Sequence, residues 1–440
     1  MTRRVVITGI GCVTPIGTDF NELGKSLFAG RTGVGRLSLF NADEFPVQIA
    51  AEVRDWDLSA VGLSPLQWAH AHRQTRLALG AGLQAASHAG LRLGQGVDPT
   101  RAGIYLGCGE PFEDFRSFME WIHASHSVEQ PTSQQRMEQG LRIFNPDVEC
   151  EYEPDKPSEH LGDLLGVEGP IQNCIAACVS STQAIGEAAD MIRFNETDVM
   201  LAGGSHSTIH PFGLTGFHRL SALSTRNDDP ESAVRPFDAD RDGFVVGEGA
   251  AIFVLEELDH ALRRGAQIWG ELTGYGAAQD AFRVTDTHPD GRGSAEAMRR
   301  ALKRAQLNTD EIDYINAHGT GTVLNDLVET RAIKGVFGAD AYRVPISSTK
   351  SMLGHATTAC GAIELAVCLA ALAENAIPAT LNHERPGPEC DLDYVPKQAR
   401  ERNCRHILTN NVGFGGQNAA LILSRFDHHT HWTPAARRAA

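Results

Sequence analysis

Residues 175–181, with the sequence IAACVSS, place a thiol where a nucleophile could form. Cys178 follows a short β-type run at 171–174 and precedes a helical pattern. A helix N-terminus lowers the pKa of a thiol through its oriented N–H groups and its dipole. Small neighbours on both sides leave room for a bulky acyl group. Cys178 is therefore a candidate nucleophile, although a buried structural cysteine explains this stretch equally well on its own.

Two histidines stand in loops of a similar kind. His318 leaves a strand-like run at 312–316 and enters the sequence HGTGT. His355 precedes a run of small residues that is predicted to be helical from about 357 to 374. Loops at the carboxyl end of an α/β sheet commonly expose functional side chains. A single histidine is more often an ordinary core or surface residue, so neither motif is decisive alone.

Two further features accompany these histidines. Lys350 is either a solvated loop lysine or a buried cation that pairs with Glu364 on the following helix. Residues 410–418, NNVGFGGQN, contain glycines, which permit positive φ and close backbone approach. This stretch is either a plain turn or a loop that donates a backbone N–H into a site, with Phe414 as a movable apolar cover.

The elements that must position these groups alternate between strands and helices, which indicates α/β layering with largely parallel sheets. Each half of the chain contains a strand that leads to a reactive residue and then a helix of small side chains, as two related halves would. We predict strands at 5–8, 104–106, 171–174, 198–204, 250–256, 269–273, 312–316, 406–409 and 419–423, and helices at 66–90, 258–264, 294–305 and 357–374. The predicted units are 1–265, 266–426 and a flexible tail at 427–440.

Composition and charge exclude several classes of function. The 440 residues can form a large core, and the net charge of −16 argues against nucleic acid or an anionic membrane as the main partner. The nine cysteines form no CxxC pair or zinc-ligand spacing, which indicates reduced thiols and a cytoplasmic location. The N-terminus lacks the apolar region of a signal peptide. No stretch approaches the ~20 apolar residues of a membrane span.

In this order and at these spacings, the motifs resemble the elongating type II β-ketoacyl-(acyl carrier protein) synthases of the thiolase superfamily. The resemblance runs from Arg4 to about Phe426. It includes RPFD at 235–238, GFVVGEGA at 243–250 and DxxE at 326–329. It implies a five-layered αβαβα fold of two pseudo-symmetric halves. It also implies a homodimer, or alternatively a heterodimer with a ketosynthase-like partner.

The resemblance also implies what the reactive residues do. Cys178 would take an acyl group from the phosphopantetheine arm of an acyl carrier protein. The N–H groups of Cys178 and Phe414 would form the oxyanion hole for that transfer. His318 and His355 would donate hydrogen bonds to the thioester oxygen of a malonyl-carrier. They would thereby stabilise the enolate left when carbon dioxide departs.

The same resemblance implies a set of supporting residues. Lys350 and Glu364 would form an ion pair, and Asp326 with Glu329 would support the reacting groups from behind. The reaction requires no metal and no redox cofactor. The acyl carrier protein would be the partner, without nucleic acid and without a membrane span.

This sequence departs from the family pattern in several places. Ala176 stands where threonine is usual, Val412 where many relatives have phenylalanine, and Gln417 where threonine or histidine is common. Residues 108–165 align poorly, and Glu110 falls near a position of the acyl pocket that is normally apolar. A buried carboxylate there is costly unless paired or protonated. Either Glu110 and Val412 line a pocket for a polar, short or unusual chain, or a local shift places Glu110 in solvent.

Three other classes of protein share part of this pattern. Non-catalytic chain-length-factor subunits typically lack the active cysteine. Degradative thiolases and chalcone-synthase-like enzymes use a second cysteine or an asparagine in place of one histidine. A papain-like hydrolase lacks the His-Gly-Thr and Thr-Lys loops. Cys178 with His318 and His355 therefore favours a condensing enzyme, of either primary fatty-acid or specialised lipid or polyketide synthesis.

Overall fold

A single ten-stranded sheet dominates the computed structural model of the chain, which describes residues 3–109, 111–126 and 131–426. Its strands are β1 Val5–Val13, β2 Ala102–Cys108, β3 Ile171–Cys174, β4 Val199–Ser207, β5 Glu248–Glu257, β6 Gly270–Gln279, β7 Tyr314–Asn316, β8 Ile346–Ser347, β9 His406–Gly413 and β10 Gln417–Ser424. Two short strand pairs lie apart from it, Val34–Arg36 with Ile49–Ala51 and Ala376–Ile377 with Arg400–Glu401.

The order of the strands repeats between the two halves of the sheet. Across the sheet it reads β8-β7-β9-β10-β6-β1-β5-β4-β2-β3. From the centre outward, the first half is β1-β5-β4-β2-β3 and the second is β6-β10-β9-β7-β8. The second order is the first with five added to each strand number. The halves join where β1 pairs with β6, so the predicted plan of two pseudo-symmetric halves is confirmed.

The sheet is mixed in direction, and the prediction of largely parallel sheets is wrong. Parallel pairing links β2 to β3 and β4, and links β7 to β8 and β9. However, β5 is antiparallel to β1 and β4, and β10 is antiparallel to β6 and β9. Only Phe414–Gly416 separates β9 from β10. A connection this short can join only antiparallel strands, whereas a parallel pair needs a long crossover.

Helices lie on both faces of each half of the sheet. They are α1 Phe20–Phe28, α2 Arg73–His88, α3 Phe115–His126, α4 Ser133–Ile143, α5 Pro146–Glu149, α6 Lys156–Leu165, α7 Ser180–Arg193, α8 Pro211–Arg219, α9 Leu258–Arg263, α10 Arg292–Ala305, α11 Val323–Phe337, α12 Lys350–Leu353 and α13 Cys360–Glu374. α2 packs on β1 and β5, and α10 packs on β6 and β10. α7 and α13 contact each other and strands of both halves. Each half of the sheet forms one sheet layer, so the five layers are helix, half-sheet, helix, half-sheet and helix.

The central layer explains the small-residue helices of the sequence. α13, with the sequence CGAIELAVCLAALAE, is buried over nearly its whole length. By length and composition alone, the window Thr357–Glu374 could cross a membrane, but 89% of it is buried inside the protein. Alanine and glycine allow the two central helices to approach each other and both halves of the sheet. This window is therefore a core helix between the two halves.

Several predicted boundaries differ from the structure. The helix predicted at 66–90 begins only at Arg73, because residues 65–71 form turns and bends. The poorly aligning segment contains α3 to α6 within its described residues. The predicted division near residue 265 lies between α9 and β6 and stays a prediction. The predicted tail at 427–440 lies outside the described residues.

Candidate active site

Cys178 sits in a strained turn between β3 and α7. The preceding residue, Ala177, has φ of 49°, which an L-residue rarely adopts. The Ser180 hydroxyl holds this turn, since it accepts from the N–H of Ala176 at 2.8 Å and donates to the Ala177 carbonyl at 2.7 Å. From α13, the Cys360 thiol donates to the Cys178 carbonyl at 3.1 Å. The thiol is thereby fixed just before the N-terminus of a helix in the central layer.

The surroundings of the Cys178 thiol oppose and assist its ionisation at once. Burial raises its pKa to about 11, and Glu364 adds to this. Lys350 and the backbone N–H groups of Phe414 and Cys178 act in the opposite direction. These are the two N–H groups expected to form the oxyanion hole. Cys178 is therefore a neutral thiol near pH 7, facing donors that favour a negative charge.

His318 follows β7 and is held as a neutral imidazole. Its Nδ1 accepts from Lys350 Nζ and from Asn411 Nδ2, each at 3.2 Å. Burial, then Lys350 and His355, lower its pKa well below the usual value. Because Nδ1 accepts two hydrogen bonds, the proton of the neutral ring lies on Nε2. His318 can thus donate an N–H from Nε2.

His355 has the same tautomer for a different reason. Its Nδ1 accepts a hydrogen bond from the backbone N–H of Thr357 at 3.1 Å. Phe244 packs edge-on against the imidazole, with the two ring centroids 4.9 Å apart. Burial, then Lys350 and His206, lower its pKa well below the usual value. The proton of the neutral ring again lies on Nε2. Both predicted histidines are therefore donors through their outer nitrogens.

The structure brings the three predicted reactive groups together. One ligand-type atom of each of Cys178, His318 and His355 lies within 4.8 Å of the others. The two imidazole rings are nearly perpendicular, with centroids 5.3 Å apart. All three lie beyond the carboxyl ends of β3, β7 and β8. A thiol and two neutral N–H donors therefore share one small site.

Behind the histidines, Lys350 and Glu364 form a buried ion pair. Lys350 Nζ also donates to the His318 carbonyl at 2.6 Å, and Asn411 Nδ2 donates to Glu364 Oε2 at 2.6 Å. Burial opposes the charge of Lys350, but Glu364 outweighs it and raises the lysine pKa. Thr182 donates to the Asn411 amide oxygen at 2.6 Å. The network therefore fixes both the charge beside His318 and the orientation of its ring.

Asn411 and Thr182 were missed by the sequence interpretation. Asn411 lies in the glycine-rich stretch at 410–418, so its neighbourhood was identified but its role was not. Thr182 lies in the first turn of α7 and belongs to no motif. Its contact with Asn411 depends on how the two halves pack together.

Asp326 and Glu329 brace the backbone of the His318 loop and lie away from the thiol. Glu329 accepts from the backbone N–H groups of His318 and Gly319 at 2.7 and 2.8 Å. Asp326 accepts from the backbone N–H of Phe237 at 2.7 Å, which ties the RPFD motif to this loop. Burial raises the pKa of Glu329 to about 7.

The remaining predicted residues surround the loop after β9. Gly413 lies against the thiol loop, since a Cβ there would be 3.4 Å from the Cys178 nitrogen. Phe414 is half-buried, and Gly415 after it has φ of 82°. Val412 is buried in β9 and pairs with Asn418, one position from Gln417. Ala176 is buried next to the thiol turn. Glu110 lies outside the described residues.

The same three groups could in principle hold a metal ion, since two imidazoles and a thiolate are common zinc ligands. A metal-bound histidine normally donates its other ring N–H to a carbonyl or carboxylate. Here both Nδ1 atoms accept hydrogen bonds instead. The nearby cluster of His318, Cys360 and Glu364 contains the ammonium of Lys350. The donor pattern of these residues thus fits N–H donation better than metal binding.

Comparison with known families matches most of the chain up to residue 384. The model described as "Beta-ketoacyl synthase, N-terminal domain" matches residues 2–261, and the model described as "Beta-ketoacyl synthase, C-terminal domain" matches residues 269–384. The first match contains the thiol and the second contains both histidines.

Curated relatives and solved structures agree with these matches. The chain is 40% identical to "3-oxoacyl-(acyl-carrier-protein) synthase 2" of Coxiella burnetii, over 96% of this chain and 99% of that protein. It is 42% identical to "Putative polyketide beta-ketoacyl synthase 1" of Streptomyces halstedii, over 96% of this chain and 98% of that protein. A ketosynthase solved in complex with its type II polyketide acyl carrier protein is similar, with a TM-score of 0.86 and 30% identity, over 97% of this chain and 100% of that one.

Proposed function

This chain belongs to the β-ketoacyl synthase family, and from that premise we propose that it condenses an acyl group held on Cys178 with a malonyl unit that loses carbon dioxide. The observation that carries the proposal is the meeting of one thiol and two neutral imidazoles within 4.8 Å. A thiol accepts an acyl group, and two N–H donors stabilise an enolate. This combination suits condensation better than hydrolysis.

The first step transfers the acyl group to Cys178. Its thiol loses a proton with help from the nearby Lys350 charge and from the N–H groups of Phe414 and Cys178. The sulfur of Cys178 forms a bond to the acyl carbonyl carbon. The carbon–sulfur bond of the donor thioester breaks, and the donor sulfur takes up the proton and leaves as a thiol. The two backbone N–H groups stabilise the negative oxygen of the tetrahedral intermediate.

The second step uses the two histidines. The malonyl thioester oxygen accepts hydrogen bonds from Nε2 of His318 and of His355, and the bond to the carboxylate breaks to release carbon dioxide. The resulting carbanion attacks the acyl carbonyl on Cys178, and the cysteine sulfur leaves. Neutral imidazoles suit this step, because an imidazolium would protonate the carbanion before it could attack. The low pKa values of both rings support this role.

We propose an acyl carrier protein as the partner that delivers both substrates, and a reaction that needs no metal or redox cofactor. A dimer is supported by β3, which is an edge strand of the sheet and carries exposed apolar side chains. Ile171 is 41% exposed and Ile175, just beyond the strand, is 52% exposed. Such an edge favours pairing with a second chain. The free state of all nine cysteines supports a cytoplasmic location.

Intact-mass analysis after mixing the protein with a panel of acyl carriers tests the proposal. The wild-type protein should gain the mass of the acyl group, and Cys178→Ala should gain none. Cys150→Ala is the control, since it removes an exposed thiol that has no part in the site and should still be acylated. An adduct that persists in Cys178→Ala would refute the assignment of the nucleophile.

A further inference from the structure

The residue that fixes the tautomer of His355 has an unusual backbone conformation of its own. Thr357, whose N–H donates to Nδ1 of His355 at 3.1 Å, has φ of 46°. A β-branched residue in this left-handed region is a genuine outlier, and it persists only where its surroundings hold it. Whatever holds the backbone of Thr357 in this conformation therefore also holds the N–H against His355.

Three hydrogen bonds hold Thr357 in place. Its N–H donates to His355, and its carbonyl accepts the N–H of Cys360 at the end of the short turn Thr357–Ala359. Both of these use backbone atoms of residue 357, so other residue types at this position could form them. The third joins the Thr357 hydroxyl to Nδ1 of His206. This third bond depends on the side chains at both positions, so it is the part of the support that the sequence specifies.

His206 is a rigid partner because it lies buried within β4. The hydroxyls of its two neighbours, Ser205 and Ser207, donate to the Gln74 carbonyl and to the Glu248 carboxylate, each at 2.7 Å. Successive side chains of a strand point to opposite faces of the sheet. The ring of His206 therefore projects from the other face of β4, toward the turn that precedes α13.

Gly109 encloses the far side of the same ring. A Cβ at this position would collide with Nε2 of His206. The imidazole is thus held between Gly109 on one side and the Thr357 hydroxyl on the other. Interiors packed this closely leave a ring little freedom to turn. The hydrogen bond between His206 and Thr357 is therefore supported from both ends.

We propose that His206 and the hydroxyl of Thr357 are positioning residues for the decarboxylation step, because together they keep the Thr357 N–H on Nδ1 of His355 and so keep Nε2–H directed at the malonyl thioester. The inference rests on the proposed function, since His355 must act there as an enolate donor. The acyl transfer to Cys178 uses the N–H groups of Cys178 and Phe414 instead. Loss of the His206–Thr357 bond should therefore affect one step and leave the other.

The test measures the two steps separately in each protein. The first measurement is the loss of carbon dioxide from the malonyl thioester of N-acetylcysteamine, a small thiol that removes carrier docking from the result. The second is the rate at which Cys178 is acylated, followed by intact mass, with the acyl carrier that loads the wild type fastest. A general packing defect would slow both steps, whereas misplacement of His355 would slow only the first.

Two pairs of variants separate the hydrogen bond from the shape of the side chain. Thr357→Val removes the hydroxyl but keeps the β-branched shape, so the strain at φ of 46° is unchanged, and Thr357→Ser keeps the hydroxyl. His206→Leu removes Nδ1, and His206→Asn keeps a polar atom near its position. Thr197→Val is the matched control. It makes the same change at a buried threonine just before β4, whose hydroxyl has no hydrogen-bond partner within the described part of the chain.

Thr357→Val and His206→Leu should each slow decarboxylation by roughly tenfold, the order expected for one lost hydrogen bond, while acylation stays within about twofold. Thr357→Ser and His206→Asn should keep most of the decarboxylation rate, and Thr197→Val should match the wild type in both steps. Combining Thr357→Val with His206→Leu should add at most about twofold to the larger single effect, because both changes remove the same bond.

The inference and the proposed function fail in different ways. Unchanged decarboxylation in Thr357→Val would overturn the inference alone. Equal slowing of both steps would also overturn it alone, because a packing defect would then explain the loss. A wild type that neither decarboxylates the malonyl thioester nor becomes acylated on Cys178 would overturn the proposed function, and the inference with it.

Discussion

Replacing Lys350 with methionine should destabilise the fold far more than the loss of an exposed lysine. Its side chain is 2% exposed, pairs with Glu364 and donates to the His318 carbonyl at 2.6 Å. The variant leaves the Glu364 carboxylate buried, with Asn411 as its remaining donor. Breaking a buried ion pair from one side costs about 3–5 kcal/mol, so we expect a loss in that range.

Denaturant unfolding of four proteins measures this effect. They are the wild type, Lys350→Met, Glu364→Gln and the double variant. The double variant should lose less than the sum of the single losses, because neither charge is left unpaired. Lys397→Met is the matched control. It removes one side of a pair whose side chains are 56% and 53% exposed, so its effect should stay below about 1 kcal/mol. A loss below 1 kcal/mol in Lys350→Met, or strict additivity in the double variant, would refute this account of the pair.

Two further outcomes follow from the histidine loop. His318→Ala should slow decarboxylation of a malonyl thioester by roughly 100-fold, because one of the two enolate donors is lost; a full rate in that variant would contradict the role given to the ring. The pKa of Glu329 is raised to about 7 from 4.5, so the folded protein holds this proton more tightly than the unfolded chain. Its stabilising effect is therefore complete below about pH 4.5 and is lost as the pH rises through 7, a decline of at most about 3 kcal/mol. In a plot of unfolding free energy against pH, Glu329→Gln should flatten the slope between about pH 4.5 and 7. An unchanged slope would contradict the raised pKa of Glu329.

Local sequence predicted where Cys178 and His318 lie, because each stands just beyond a strand, whereas α12 separates His355 from β8. Cys178 and His318 follow short β-type runs, and His355 precedes a small-residue stretch that is predicted to be helical. Because β3 and β8 lie at opposite edges of the sheet, the meeting of the three side chains depends on how the two halves pack around α7 and α13.

The missed features depend on contacts between distant segments. Asn411 orients His318 because β9 lies beside β7, and no local pattern shows that pairing. The antiparallel directions of β5 and β10 follow from how each half is connected. The predicted pocket residue Glu110 lies outside the described residues.

The interlocked central layer has a consequence for how the protein is made. Cys360 bonds the Cys178 carbonyl across 182 positions, and Thr182 bonds Asn411 across 229. Contacts of such long range slow folding, because a large loop must close before they form. During synthesis, α13 is completed about 180 residues after α7, roughly 10–40 s later at 5–20 residues per second. In that interval the face of α7 that α13 will cover is open to other chains. The first half therefore lacks this part of its packing until the second half is made, and the thiol can meet its histidines only after both halves have been synthesised.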